Sequence, residues 1–287
     1  MFLETRSLEP GDGEIVVEVK RAGICRTDSY VAEGSLAVDE PRVMGHEAAG
    51  VTLDGARVAI EPMLSCAMVG RAKCVACEAG RPCVRPAMLG VDRDGAFADR
   101  ACVPARAVHR VPDSISWEAA AMAEPVAAAL GVLRALSTRD RSARGAVIGR
   151  GRIADLVARV LRSAGFAHDV IDVNDARDDA FDWIVEARAT DGALIAATRA
   201  LRPGGTLVLK SRPPAPAALD VALAVRKEIT IIARSYGAFD DAIAWLASGR
   251  VAVDDLVGEV FPLERFDAAF SAARASEGKK IFFSMEG

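Results

Sequence analysis

The chain has 287 residues, 51% of them hydrophobic, and a formal net charge of -4. That length exceeds one typical domain and allows two, while the mild acidity excludes the broad basic footprint of a nucleic-acid or anionic-membrane binder, and no apolar run is long enough to span a bilayer. Six cysteines, Cys25, Cys66, Cys74, Cys77, Cys83 and Cys102, stand in a chain without a secretory leader pattern, which points to metal binding in a reducing cytoplasm rather than to a disulfide framework.

From Glu14 to Arg21 the chain alternates Ile15, Val17 and Val19 with polar neighbours, the period of a half-buried strand, and arrives at Gly23-Ile24-Cys25-Arg26-Thr27-Asp28. Further on stands Gly45-His46-Glu47-Ala48-Ala49-Gly50. A thiolate and an imidazole suit Zn²⁺, a site short of four protein ligands leaves room for water or substrate, and carboxylates commonly orient such ligands from behind. Val51 to Ile60 is β-rich and is broken by the hairpin pair Asp54-Gly55. Glu61 to Pro86 loses periodicity and gathers cysteines, glycines and prolines, so its order must depend on something other than a core. Asp92-Arg93-Asp94 leads through a turn into a short strand at Gly95-Ala96-Phe97-Ala98, and Ala101 to Val111 continues extended until Pro112. Trp117 to Ser137 is alanine-rich with apolar residues at helical spacing, is broken at Glu124-Pro125, and crosses into a second domain.

From Ala146 the pattern becomes strand, glycine turn, helix, strand: Ala146-Val147-Ile148, then Gly149-Arg150-Gly151-Arg152-Ile153-Ala154, a helix to Ala164, and Asp169 to Val173. Strands recur at Trp183 to Glu186, at Thr206 to Lys210 behind Pro203-Gly204-Gly205, and at Ile229 to Ala233. Alternating strands and helices predict a parallel, doubly wound sheet. Two amphipathic helices, Phe239 to Ser248 and Phe266 to Ala275, and an apolar strand, Lys280 to Phe283, complete the chain. The glycine turn permits a pyrophosphate to approach the following helix N-terminus, with Gly149, Gly151 and Ile153 as candidate contacts. Asp172 is placed to accept hydrogen bonds from a ribose diol and to repel a 2'-phosphate, which favours NAD over NADP. The other reading is a purely structural turn with Asp172 a solvated strand end.

Taken in order, Gly-Ile-Cys-x-Thr-Asp, Gly-His-Glu-x-x-Gly, the cysteine lobe, Gly-Ala-Phe-Ala, Glu-Pro in the linking helix and the βαβ unit resemble the zinc-dependent medium-chain dehydrogenase/reductase family, with its alcohol, sorbitol and threonine dehydrogenase-like members. The resemblance covers essentially the whole chain. It implies an α/β fold with a GroES-like β-rich catalytic domain from residues 1–122 and 236–287, a Rossmann NAD-binding domain from 123–235, and an active-site cleft between them. It makes Cys25 and His46 catalytic zinc ligands, with Asp28 and Glu47 behind them, and Glu124 the third ligand in the glutamate form found in the sorbitol and threonine branches. An ordinary helix carboxylate is the alternative for Glu124. Thr27 occupies the position whose hydroxyl bonds the substrate alcohol and starts a proton relay, Tyr30 stands where many relatives carry a relay histidine, and Arg26 falls where some members contact the cofactor pyrophosphate, a solvated arginine being the alternative. The implied activity is hydride transfer between NAD(H) and a secondary alcohol, polyol or ketone in a cytoplasmic homodimer that pairs through Ile229 to Ala233, with neither nucleic acid nor membrane as partner. A lyase- or isomerase-like zinc enzyme and a non-catalytic binding relic are the rivals.

The chain departs from the family's pattern in several places. The family's cysteine-lobe spacing, read from Cys74 and Cys77, meets Arg71 in its first position and Arg85 in its last, yet Cys66 and Cys83 flank the pair, and four thiolates in one lobe can close a tetrahedral site around a second zinc. Cys102, on a strand, is expected in the core. Only Asp175 to Phe181 separates Val173-Asn174 from the next strand, so an αβ unit beside the adenine pocket is expected to be missing, and Arg188-Ala189 replaces the Thr-Gly typical near the cofactor. The chain also starts at Met1-Phe2-Leu3 without the family's opening strands.

Overall fold

A computed structural model of the chain describes residues 1–188, 190–213, 215–276 and 278–285, with the backbone alone of Asp191; Ala189 lies outside them. Contacts divide the chain into two units, Met1–Glu124 with Ala252–Gly287, and Pro125–Val251.

In the first unit, the alternating Ile15, Val17 and Val19 build β1 (Glu14–Gly23), with Val17 and Val19 buried. There follow α1 (Arg26–Ala32), β2 (Glu47–Thr52) and β3 (Arg57–Ile60). Asp54-Gly55 turns β2 back on β3 so that Val51 lies opposite Arg57. The cysteine lobe holds only short pieces, β4 (Met63–Leu64), α2 (Val75–Glu78) and β5 (Ala87–Met88), with β4 and β5 paired antiparallel. β6 (Arg100–Pro104) and β7 (Val108–Arg110) come next, separated by a 3-10 turn at Ala105–Ala107 that interrupts the extended run expected up to Val111. The strand expected at Gly95 to Ala98 is absent. Its N–H groups are spent on a loop instead, Gly95 donating to Val43 O, Ala96 to Gly45 O and Phe97 to Met44 O. Cys102 is half-buried on β6 opposite Val16 rather than in the core.

α3 (Trp117–Ala121) stops at Met122, and α4 (Ala123–Ala135) runs through Glu124-Pro125. The expected break therefore falls earlier than the proline, because Pro125 sits in the first turn of α4, where backbone N–H groups have no intrahelical partner to lose.

The second unit carries β8 (Gly145–Ile148), α5 (Arg152–Ser163), β9 (His168–Ile171), β10 (Phe181–Glu186), α6 (Asp191–Ala200), β11 (Leu201–Leu209), α7 (Val221–Arg226), β12 (Thr230–Ala233) and α8 (Phe239–Ala247). Among the described residues its strands form one parallel sheet in the order β12-β11-β10-β8-β9. β8 is buried along its whole length, as an apolar run in a parallel sheet must be. β9 is the outermost strand. From it the chain passes to β10, on the far side of β8, through residues 172–180, which contain a 3-10 turn (Val173–Asp175) where a full unit has a helix and a strand. A few extended residues suffice because each spans at most about 3.5 Å.

Lys227 holds this shortened connection down. Its buried Nζ donates to Arg199 O (2.6 Å) and Leu201 O (2.7 Å) at the end of α6, and pairs with Asp179 (2.7 Å) in the connection. The second unit also extends further than the expected limit at residue 235. Gly237 N–H donates to Ala127 O (2.8 Å) and Ala242 of α8 is fully buried, so the chain leaves the unit only after Val251.

The return segment supplies β13 (Val257–Pro262), α9 (Phe266–Ala275) and β14 (Lys280–Ser284) to the first unit. They complete a sheet in the order β13-β14-β1-β2-β3-β7, with β6 also on β1. Ile24, Phe270, Ile281 and Phe283 share one core cluster, and Phe97 stands edge-on to Phe283 with ring centroids 4.9 Å apart. Among the described residues no helix is long and apolar enough to cross a membrane.

Lys227→Met should cost the second unit about 3 kcal/mol, because it strips charge-assisted bonds from buried carbonyls. Urea unfolding followed by the fluorescence of Trp183, fully buried in that unit, is the measurement.

Candidate metal centres and nucleotide turn

Cys25 caps the N-terminus of α1 in an extended conformation, and the carboxylate of Asp28, three residues into the helix, reaches back so that Oδ2 accepts from Cys25 N–H at 2.7 Å. The other oxygen, Oδ1, lies 3.3 Å from His46 Nδ1, and Asp28 and His46 are both buried. One carboxylate therefore ties the backbone of Cys25 to the imidazole of His46. His46 is aimed by the residue before it. Gly45 has φ +94°, and a Cβ there would meet the Phe97 ring at 2.4 Å.

The ligand atoms of Cys25, His46 and Glu47 lie within 4.8 Å of one another. Glu47, expected behind the ligands, is thus brought beside them. Glu124, expected as the third ligand, is buried but is not grouped with them. The Thr27 hydroxyl lies 3.9 Å from Cys25 Sγ, while Arg26 is exposed on α1.

Behind Glu47 the sequence reading missed Lys280. It opens β14, is fully buried, and its Nζ is ion-paired with Glu47 Oε2. The signal was a lysine heading an apolar strand, since a buried ammonium needs a partner. Gly23 makes room for it, as a Cβ there would lie 2.6 Å from Lys280 Cε and 3.0 Å from Glu47 Oε2.

Asp28 and Glu47 bring negative charge against the ammonium of Lys280, and the Cys25 sulfur and the His46 imidazole stand beside them, a donor set chemically suited to a divalent cation. Burial alone would push the His46 pKa down, but the Asp28 carboxylate and the Cys25 sulfur overcome it and hold the imidazole well above its ordinary value. Sulfur, nitrogen and oxygen donors suit Zn²⁺, and three such protein ligands would leave a position for water or substrate.

The cysteine lobe brings together Cys66, Cys74, Cys77 and Cys83, with all four sulfurs within 4.8 Å of one another and none in a disulfide. The Cys66–Cys83 and Cys74–Cys83 sulfur separations are 3.3 and 3.9 Å. A tetrahedron with metal–sulfur bonds of about 2.3 Å has edges of about 3.8 Å. The lobe therefore has the chemistry and the spacing of a closed structural site, although its sequence spacing departs from the family's.

In the second unit, Gly149 and Gly151 take φ of +128° and +94° between β8 and α5. Gly151 caps the start of α5 without a side chain of its own. Ile153 is half-buried in that first turn, with Ala154 buried behind it. Gly149 N–H donates to Ile171 O at 3.1 Å, which sets Asp172 beside the turn.

In the metal-free lobe, Val84 N–H, then Cys77 N–H, lower the Cys74 thiol to about 6, whereas the hydrogen bond with Cys74, then burial, pushes Cys77 up to about 12. Iodoacetamide should therefore modify Cys74 at a rate that rises through pH 6 and levels off above it, while the Cys77 rate still climbs at alkaline pH. Peptide mass mapping reads both rates, and zinc loading should protect all four cysteines.

Residues 11–113 match the model of the alcohol dehydrogenase GroES-like domain. The starvation-sensing protein RspB of Escherichia coli is 28% identical, the alignment covering 91% of this chain and 88% of the relative. L-threonine 3-dehydrogenase of Pyrococcus horikoshii is 26% identical over 97% of this chain and 93% of its own. Among solved structures, an Escherichia coli protein described as a short chain alcohol dehydrogenase complexed with NADH superposes with a TM-score of 0.85 at 25% identity, over 98% of this chain and 95% of the other. 2R,3R-butanediol dehydrogenase of Bacillus subtilis shares the fold, with a TM-score of 0.81 at 22% identity over 99% and 95%. With residues 11–113 matching a GroES-like domain, a parallel Rossmann-type sheet and relatives of this kind along nearly its whole length, the chain is similar to the medium-chain dehydrogenases/reductases.

Proposed function

We propose that the chain is a zinc-dependent oxidoreductase that moves a hydride between a nicotinamide cofactor, NAD(H), and a secondary alcohol or polyol and its ketone. The observation that carries this reading is the convergence of Cys25, His46 and Glu47 with the Thr27 hydroxyl beside the Cys25 sulfur. Relatives named L-threonine 3-dehydrogenase and 2-dehydro-3-deoxy-L-galactonate 5-dehydrogenase, which act on hydroxylated substrates, support it.

Cys25, His46 and Glu47 would hold the zinc, which when bound acts as a Lewis acid that lowers the pKa of an alcohol hydroxyl. Thr27 Oγ1 is the protein hydroxyl placed to accept the hydrogen bond of that substrate group and to carry its proton away from the buried site. Asp28 holds the Cys25 backbone and the His46 imidazole in place, and Lys280 balances Glu47. The turn at Gly149 and Gly151 would receive the cofactor pyrophosphate. The exposed edge of β12, with Ile231 41% exposed, supports a homodimer paired through that strand.

Metal analysis of single variants tests the ligand set. Glu47→Ala should lose one zinc per chain and Glu124→Ala should keep it, whereas loss in Glu124→Ala alone would give the third ligand back to Glu124. Thr27→Ala should keep both zincs and lower kcat by about 100-fold or more, the usual contribution of a positioned proton-transfer group. An unchanged kcat removes Thr27 from the relay.

A further inference from the structure

Asp172 is the residue expected to meet the ribose, and both of its oxygens are already engaged. Oδ1 accepts from Val173 N–H at 2.6 Å, and Oδ2 accepts from Arg150 Nε at 2.6 Å. Arg150 belongs to the glycine turn itself, between Gly149 and Gly151. Its ion pair with Asp172 crosses directly from the phosphate-binding turn to the end of β9.

The charge at this corner is the reverse of what a lone aspartate presents. The Asp172 carboxyl is held below its usual range by the Val173 N–H, then by Arg150, with Arg188 adding a further positive charge. Arg188 is exposed, and its Cβ lies 3.1 Å from where a Cβ on Gly149 would stand, which brings it to the same turn. Two guanidinium groups against one carboxylate leave a net positive charge. Arg150 uses its Nε on Asp172, its side chain is 68% exposed, and both Nη groups of a guanidinium can fork onto a phosphate. The shortened sheet adds to the argument. β9 is the outer strand and Val170 is 53% exposed, so there is little apolar wall for an adenine, and charged contacts must supply more of the affinity.

We propose that the cofactor end reads the 2' position with Arg150 and Arg188, so that the chain accepts a 2'-phosphorylated nicotinamide dinucleotide, NADP(H), at least as well as NAD(H). In this arrangement Arg150 and Arg188 are the phosphate-binding pair, and Asp172 is a positioning residue that holds the Arg150 fork in place. The inference rests on the reading above that the Gly149–Gly151 turn binds a nicotinamide cofactor.

Titration of the full chain with NADPH and with NADH, followed by the fluorescence of the reduced nicotinamide, tests it, with competition by 2',5'-ADP and by ADP as a second measurement. The wild-type chain should bind NADPH at least as tightly as NADH, and 2',5'-ADP should compete better than ADP. Arg150→Ala should weaken NADPH by about 30-fold, the loss of charge-assisted hydrogen bonds, and leave NADH unchanged or tighter because Asp172 is released. Arg188→Ala should weaken NADPH by a smaller factor, and Arg150→Lys should restore part of the loss. Tighter binding of NADH than of NADPH by tenfold in the wild-type chain, or an unchanged NADPH-to-NADH ratio in Arg150→Ala, overturns the inference and leaves the nicotinamide reading standing. Binding of neither nucleotide overturns both.

Discussion

The carboxylate of Asp28 is the small interaction on which the first unit's chemistry depends. With one oxygen on Cys25 N–H and the other against His46, it joins the start of α1 to the head of β2, two segments separated in sequence by the whole loop from Glu33 to Gly45. Neither ligand holds its direction by itself. Cys25 is a helix cap that could face several ways, and His46 follows a glycine with a left-handed backbone. The clamp keeps negative charge buried, and Lys280, from the other end of the chain, pairs with Glu47 beside it. Because Lys280 lies on β14, the last strand participates in the pocket as well as in the sheet.

Much of this was legible in the sequence because it is written in local patterns. The alternation of Ile15, Val17 and Val19 specifies a strand, the spacing of apolar residues from Phe266 to Ala275 specifies a helix with those limits, and Gly149-Arg150-Gly151 between a buried strand and a helix specifies a βαβ turn. The misreadings arose where a tertiary hydrogen bond decides. Gly95 to Ala98 has the composition of a strand, but its N–H groups find the Val43 to Gly45 carbonyls before any neighbouring strand. The helix from Phe239 reads the same in either unit, and only packing such as that of Ala242 places it in the second.

Site residues follow the same division. Cys25, His46 and the four cysteines of the lobe announce themselves by their chemistry, and the fold gathers each set. The choice between Glu47 and Glu124 is not written in residue type, since both are buried glutamates, and it depends on which carboxylate the packing around Gly23 and Lys280 turns toward the thiol. Lys280 and Arg150 carry a different lesson. Each is a single long cation whose importance comes entirely from the carboxylate it meets, one behind the Cys25–His46–Glu47 group and one across the glycine turn.

The direct passage from β9 to β10 through residues 172–180 also bears on how the second unit comes to be folded. Parallel strands pair only after the chain between them has closed into a loop, and each halving of that loop lowers the entropy of closure by about 0.6 kcal/mol. Leaving out a helix and a strand brings β8, β9 and β10 closer in sequence and lowers the contact order of the central pairings, which speeds folding in small domains. The residue that secures the shortened passage, Lys227, arrives later in the chain, so the central strands can assemble before the connection is locked. The same shortening that leaves β9 as the outer strand therefore gives the Rossmann-type sheet a shorter route to its own assembly.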